Sequence, residues 1–414
     1  MKQGWELKKL GDICDLQNGF AFKSNDYIEF SNTMNFRMSQ IRPGGGIDLE
    51  NNPKYLPDDY AVKYKDYLLK EGDVVIAMTD LATETKILGV PTIVPKDNRN
   101  WLLNQRVGKL FKIDVLIVDV AYLKYILSST SVNEYYKSLG RGGLQINIGK
   151  QDILNAKIPL PPLPEQQRIV AILDEAFAAI AQAKANAEQN LKNAKELFES
   201  YLQSVFENKG EGWEEKTLGE MIELLVGFAF KSKDYTEVED DILLLRGDNI
   251  MQGYLRLDDV KRWSKLEFET YKKYQLQEND ILLAMDRPWV KAGLKIAKIS
   301  NKNIPALLVQ RTACLRTKSN LDNSFLFYLL KSNGFMKYLI DVQTGIGVPH
   351  ISGKQILDFS FTTPPLKEQQ AIVQKLDALS TETKQLAAIY QQKINDLDEL
   401  KKSILQKAFA GELC

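Results

Sequence analysis

The sequence predicts an α+β protein. Two tandem copies of one mixed domain are each followed by a long helix, and the two helices pair as an antiparallel coiled coil with pseudo-two-fold symmetry. Three observations predict this. A nine-residue phrase occurs twice, GFAFKSNDY at 19–27 and GFAFKSKDY at 227–235. Further echoes follow it in the same order in both halves. Each mixed stretch then ends in a proline cluster and a run of about 40 residues with no proline and no interior glycine, a composition suited to a long helix.

The repeat extends well past nine residues. GWELKKLGDICDLQNGFAFKSNDY (4–27) aligns without gaps to GWEEKTLGEMIELLVGFAFKSKDY (212–235), with 15 identities in 24. Arg37 and Ile41 match Arg246 and Ile250. YLLKEGDVVIAMT (67–79) matches YQLQENDILLAMD (274–286), and Gln105-Arg106 matches Gln310-Arg311. IPLPPLPEQQRIVAILD (158–174) matches FTTPPLKEQQAIVQKLD (361–377), and LFESYLQSVF (197–206) matches LKKSILQKAF (400–409). The period of about 205 residues is far above that of solenoid repeats. A whole domain and its linker have been duplicated. The expected limits are a first mixed domain over 1–157, a central long helix over 158–209, a second mixed domain over 210–363 and a C-terminal long helix over 364–414.

Within each mixed domain, GDVVIAM and NDILLAM are short apolar runs behind a turn, which predicts buried strands. DVAYLKYILSS and NSFLFYLLKS have helical spacing. Gly-rich loops follow, GRGGLQINIGK at 140–150 and QTGIGVPHISGK at 343–354. In the last segment a 4-3 rhythm runs through Ile372, Leu376, Leu379, Thr383, Leu386, Tyr390, Lys393, Leu397, Leu400 and Ile404. The matching seam in the first segment is Ala-rich: Ile169, Leu173, Ala176, Ile180, Ala183, Ala187, Asn190, Ala194, Leu197 and Tyr201. A strict 3.5-residue repeat makes a left-handed coiled coil, and small-against-large pairing lets the helices approach. At 1.5 Å per residue each helix is roughly 60 Å long, a spacer. Antiparallel helices place the mixed domains at opposite ends.

The chain has 414 residues, 44% apolar and 26% charged, with formal net charge zero. That length carries two or three domains. Neutrality argues against a free-standing nucleic-acid binder but permits local basic faces. Cys14, Cys314 and Cys414 are too few for a disulfide framework, and a reducing cytoplasm is expected. MKQGWELKKL has no apolar core of an export signal, and no run approaches 18 apolar residues, so no membrane partner is expected.

The halves share their framework phrases but diverge over 42–66 against 251–273 and over 79–104 against 286–309. A common scaffold with different insertions suggests two versions of one recognition module. The order of mixed domain, PPLPEQQRIV, long helix, second mixed domain, PPLKEQQAIV and long helix resembles the specificity subunit of a Type I restriction–modification system. The resemblance covers essentially the whole chain. It implies two target-recognition domains, each reading one half of a bipartite site in double-stranded DNA. It also implies that the helices set the gap and form a platform for two modification (adenine methyltransferase) subunits, joined by restriction (helicase-nuclease) subunits. It implies a non-catalytic chain. No cofactor is expected.

No stretch of the sequence completes a catalytic motif. Adenine methylation needs an Asn/Asp-Pro-Pro-Tyr/Phe grip on the flipped base, and Asn51-Asn52-Pro53-Lys54-Tyr55 fails it. GGLQINIGKQ (142–151) is one residue too long for a phosphate loop and lacks the hydroxyl after Lys150. Asp73 with Glu84-Thr85-Lys86 imitates a nuclease triplet, but Asp73 reads as a turn residue before a strand. The single histidine, His350, excludes His-pair zinc sites, and no metal is expected.

The resemblance leaves DNA contacts to be assigned by residue type. Arg reads guanine bidentately, and Asn or Gln reads adenine. The candidates in the first half are Arg37, Gln40, Arg42, Thr79, Asp80, Arg141, Gln145 and Asn147. In the second they are Arg246, Asn249, Asp286, Arg287, Gln343 and His350. Arg37 and Arg246 occupy one place in both halves, which favours a shared phosphate or scaffold role over base choice. The competing reading, favoured by the neutral charge, is a coiled-coil scaffold whose mixed domains bind proteins.

Overall fold

A computed structural model describes residues 3–208, 210–291, 293–344 and 347–413. Cys414 and the Gly345 and Ile346 of the second Gly-rich loop lie outside the described residues. The chain divides into two compact units, residues 1–188 with 391–414 and residues 189–390. Each unit therefore combines one mixed domain, the start of the long helix that follows it and the end of the other long helix.

In the first unit an antiparallel sheet runs in the order Asp15–Asn18, Val107–Phe111, Val74–Ala77, Pro91–Ile93. The GDVVIAM run forms its central strand, Val74–Ala77, and all four residues are buried. Successive side chains leave a strand on opposite faces. Val74 and Ile76 thus enter one core with Leu16, Leu110, Tyr122 and Ile126. Val75 and Ala77 enter another with Met34, Phe36 and Trp101. Both faces are covered, so the run is apolar throughout instead of alternating. A second sheet orders Tyr55–Leu56, Thr33–Phe36, Asn100–Leu103, Leu68–Leu69, its two middle strands parallel.

The second unit repeats this plan. Its sheet runs Ile222–Val226, Thr312–Thr317, Ile281–Ala284, Ile296–Lys298. Ile281 and Leu283 share a core with Phe325 and Leu329, whereas Leu282 and Ala284 share one with Leu245 and Leu308. The parallel pair is again present, as Ile242–Leu245 against Ala306–Leu308. The predicted helices form as Val120–Leu127 and Asn323–Lys331. Each is followed by a second helix that the sequence reading did not separate, Thr130–Leu139 and Asn333–Val342. The first Gly-rich loop is also more ordered than predicted, because Gln145–Asn147 forms a strand against Thr79–Leu81.

The duplicated phrase has a backbone reason. Gly19 runs so close to the neighbouring chain that a Cβ would lie 2.1 Å from the Asn104 carbonyl oxygen; at Gly227 it would lie 2.0 Å from that of Val309. The next residue is then bracketed. Phe20 N donates to Leu103 O and Gln105 N to Phe20 O. Phe228 N donates to Leu308 O and Gln310 N to Phe228 O. The two phenylalanine rings of each phrase sit in an aromatic cluster. Phe20 lies against Tyr64 and Tyr67, and Phe228 against Tyr271 and Tyr274.

The long helices span Leu163–Glu207 and Leu366–Ala410. In the first unit Ile169 and Leu173 share a core with Ala408, and Lys184 Nζ lies 2.6 Å from Asp398 Oδ1. Rising numbers on one helix meet falling numbers on the other, so they pack antiparallel. In the second unit Phe198 and Leu202 share a core with Val373 and Leu376. The strict heptad seam is corrected by burial. Leu386, Leu400 and Leu197 are exposed, while Ile394, Phe198 and Leu202 are buried in place of Lys393, Leu197 and Tyr201. Asn190 is exposed, and its neighbour Leu191 is half-buried. A nearly straight helix of 3.6 residues per turn drifts from a 3.5 repeat, so the buried stripe slips by one residue along its length. No helix among the described residues is long and apolar enough to cross a membrane.

Candidate nucleic-acid interface

In both units the loop residues gather where the central strand leaves the sheet. In the first, Thr79 Oγ1 donates to Asn147 Oδ1 at 2.6 Å. Arg141 and Asn147 exchange backbone hydrogen bonds and close a hairpin. The hairpin exposes Arg141 and Asn147, half-exposes Gln145 and carries Leu144 at its turn, 88% exposed. Asp80 is buried, and its carboxylate accepts from the backbone N–H groups of Leu81, Lys86, Ile87 and Leu88. It organises the loop 81–88 and presents nothing to a ligand.

Gln40 and Asn249 are likewise buried, with side-chain oxygens accepting from Arg37 N and Arg246 N. Their amide groups donate to Asn51 O and Arg256 O. They shape two equivalent turns. Arg42 Nη1 and Nη2 donate to Ser39 O and Asp48 Oδ2, and that hydrogen bond holds the Asp48 carboxyl below its usual range. Arg37 Nη1 and Arg246 Nε are buried, and neither has a hydrogen-bond partner among the described residues.

In the second unit Asp286 takes the place of Thr79 and His350 that of Asn147. His350 Nδ1 lies 2.5 Å from Asp286 Oδ1, and Arg311 pairs with Asp286 Oδ2. Burial works to raise the Asp286 carboxyl, but hydrogen bonds from His350 and Arg311 outweigh it and hold the group below its ordinary value. His350 exchanges backbone hydrogen bonds with Thr344, as Asn147 does with Arg141. Arg287 is exposed, its N–H donating to Pro349 O. Gln343 Oε1 is buried without a hydrogen-bond partner among the described residues.

Arg287 and Arg311 both hold positive φ, 44° and 62°. Non-glycine residues rarely do so, and such strain gathers at functional sites. Both line an open cleft of about 440 Å³ together with Arg246, Asp286 and Lys295. Lys295 was missed in the sequence because it lies in a stretch where the halves do not align. Arg311 was visible as half of the Gln-Arg echo but was not singled out. The aromatic partners of the duplicated phrase were also missed, although YKDY (64–67) and YKKY (271–274) extend a recognised echo by three residues. Among the described residues no group of three or more His, Cys, Asp or Glu could hold a metal ion.

The arrangement is two surfaces of one plan with different side chains. The first offers a polar hairpin, and the second a cleft lined by two carboxylates and several cations, with His350 paired to one of the carboxylates. Arg, Asn and Gln suit base edges, and cations suit phosphates.

Comparison with known proteins agrees with the duplication. The family described as Type I restriction modification DNA specificity domain matches residues 2–193 and again 210–396. The MjaVIII specificity subunit of Methanocaldococcus jannaschii is 26% identical over 378 residues, covering 87% of this chain and 84% of that protein. The EcoAI specificity subunit of Escherichia coli is 35% identical over 335 residues, 80% of this chain and 53% of that protein. Among solved structures, a chain from a study of complex assembly and conformational transition of the type I R-M system aligns with TM-score 0.76 and 20% identity. That alignment covers 100% of this chain and 99% of the other. The HsdS subunit from Thermoanaerobacter tengcongensis aligns with TM-score 0.63 and 22% identity, covering 100% and 98%.

Proposed function

This chain belongs to the Type I restriction–modification DNA specificity family, and from that membership we propose that its two mixed domains read the two halves of one split DNA site. The chain is a specificity subunit with two DNA recognition domains. The observation that carries the finer reading is the pairing of one repeated scaffold with two unlike surfaces. Thr79, Asp80 and Asn147 stand in one domain where Asp286, Arg287 and His350 stand in the other. A protein reading one palindromic site needs two identical surfaces, whereas unlike surfaces suit an asymmetric, bipartite site.

In this reading Arg141, Gln145, Asn147 and Arg42 face DNA in the first domain, and Arg287, Arg311, His350 and Gln343 in the second. Arg37, Gln40, Asn249, Thr79 and Asp80 hold the loops that present them, and Arg246 stands among the cations of the second domain's cleft. The long helices space the domains, which extend over 1–157 and 210–363. Their outward faces dock two adenine methyltransferase subunits, with restriction subunits joining the assembly. The chain carries no catalysis of its own and works in the cytoplasm on double-stranded DNA. Nothing in the fold or the comparisons favours the protein-binding scaffold.

The test is a single-molecule map of methyladenine in cells expressing the methyltransferase partner with or without this chain. A split motif that appears only with the chain supports the reading and gives both half-sites and their gap. No chain-dependent motif, with the partner expressed and bound to it, overturns the reading.

A further inference from the structure

The second domain carries a cationic cleft, and three positions there differ from their counterparts in the first domain. Lys295 O accepts from Ala284 N as Val90 O accepts from Ala77 N, so the two residues are equivalent. Val90 is buried in the first domain's apolar core, and Met38 packs against that core. In the second domain the position of Met38 is Gly247, where a Cβ would lie 4.0 Å from Lys295 Nζ. With no side chain at 247, the space stays open. The third exchange replaces the loop-forming Asp80 by Arg287.

Arg246, Arg287, Lys295 and Arg311 thus line one cleft with two acids, Asp248 and Asp286. Asp286 is occupied by His350 and Arg311. Among the described residues neither Arg287 nor Lys295 makes an ion pair, and the buried Nε of Arg246 has no acceptor. Burial, aided by Arg256 and Arg287, holds the Lys295 ammonium below its usual value against the pull of Asp248. Arg246, whose Nη2 donates only to Asp259 O, thus stands beside Arg287 and Lys295 with no carboxylate paired to any of the three among the described residues; such cations call for an anion, and the polymer that this domain binds supplies one at every nucleotide.

We propose that this cleft grips one backbone phosphate of duplex DNA between Arg246, Arg287 and Lys295, so that the second domain holds its half-site through a phosphate anchor with no counterpart in the first. This rests on the DNA-specificity reading above.

The test uses the complex of this chain with its methyltransferase partner and a duplex bearing the mapped motif. Binding is measured by anisotropy from 50 to 250 mM salt, for wild type, Arg287→Asn, Lys295→Gln and the double variant. Asn tolerates the left-handed backbone at 287. Lys302→Gln, on an exposed turn, serves as control, and thermal unfolding reports folding. We expect the double variant to lower the slope of log K against log salt by about 0.9, the loss of one phosphate contact. The control should keep the wild-type slope, and the methylated motif should stay unchanged. A folded double variant with the wild-type slope overturns the phosphate anchor. So does a reduced slope accompanied by an altered second half-site, which would make the cleft a base reader. If wild type itself shows no salt-dependent preference for the motif, the DNA-specificity reading fails instead.

Discussion

The side-chain oxygen of Gln166 accepts a hydrogen bond from the backbone N–H of Asp119 at 2.8 Å, joining the start of the first long helix to the start of a domain helix. Gln166 Nε2 also donates to Ile117 O and Pro161 O. Gln369 repeats the pattern with Asp322 N, Asn320 O and Pro364 O. Asp119 and Asp322 in turn cap their helices, accepting from Tyr122 N and from Ser324 N and Phe325 N. The first Gln of each Glu-Gln-Gln, Gln166 or Gln369, is thus a buried clamp between domain and long helix. Gln166→Leu or Gln369→Leu leaves three partly buried backbone groups without that partner, and each unit should lose about 1–3 kcal/mol. Urea midpoints that do not move would show that the clamp holds nothing.

Gly19→Ala and Gly227→Ala should each damage their own domain. A Cβ about 2 Å from a backbone carbonyl oxygen cannot be relieved by turning a side chain. Backbone must move, at a cost of about 1–3 kcal/mol or more. Limited proteolysis should find the altered domain cut first. Equal resistance of both domains would contradict the close approach.

Cys14 and Cys314 should be inert. Burial pushes the Cys14 thiol up to about 12, with Asp15 adding to the rise, and burial likewise raises Cys314. The thiolate is the reactive form. Iodoacetamide at neutral pH should leave both unlabelled in the native chain and label both in denaturant. Native labelling of either would place the core around that cysteine in contact with solvent.

Acid should weaken the second domain through Asp286. Its folded carboxyl is held below the ordinary value of 3.8. The stabilisation it contributes is therefore complete above that value and is lost as pH falls through the lower folded one. Thermal scans from pH 6 to pH 2 should show a shallower acid limb for Asp286→Asn than for wild type. Identical limbs would remove Asp286 from the account.

Exchanging residues 1–157 for the same region of a relative should change one half of the methylated motif and leave the other intact. Methyladenine mapping reads the result directly. A change in both halves would end the modular reading.

The duplication, both sheets' central strands, the domain helices and the antiparallel long helices were legible in the sequence, because each rests on local pattern or on self-similarity. Which polar residues face outward was not. Arg37, Gln40 and Asp80 have the residue types of DNA contacts, yet Gln40 and Asp80 spend their polar atoms on nearby backbone. Composition cannot distinguish a side chain that reads a base from one that folds a turn. Lys295 escaped notice for the opposite reason. It occupies a position that is apolar in the other half, inside a stretch with no alignable echo.

The sequence by itself determined the repeat, the domain order and the long helices. Those features are written in glycine, proline and apolar spacing, which act over a few residues. Tertiary structure alone decided that the repeated phrase is a close backbone crossing and that the buried helix stripe slips by a residue. It alone made one module's cleft cationic while apolar side chains fill the other's. These depend on which distant strands meet, and that contact is set by burial of both sheet faces at once.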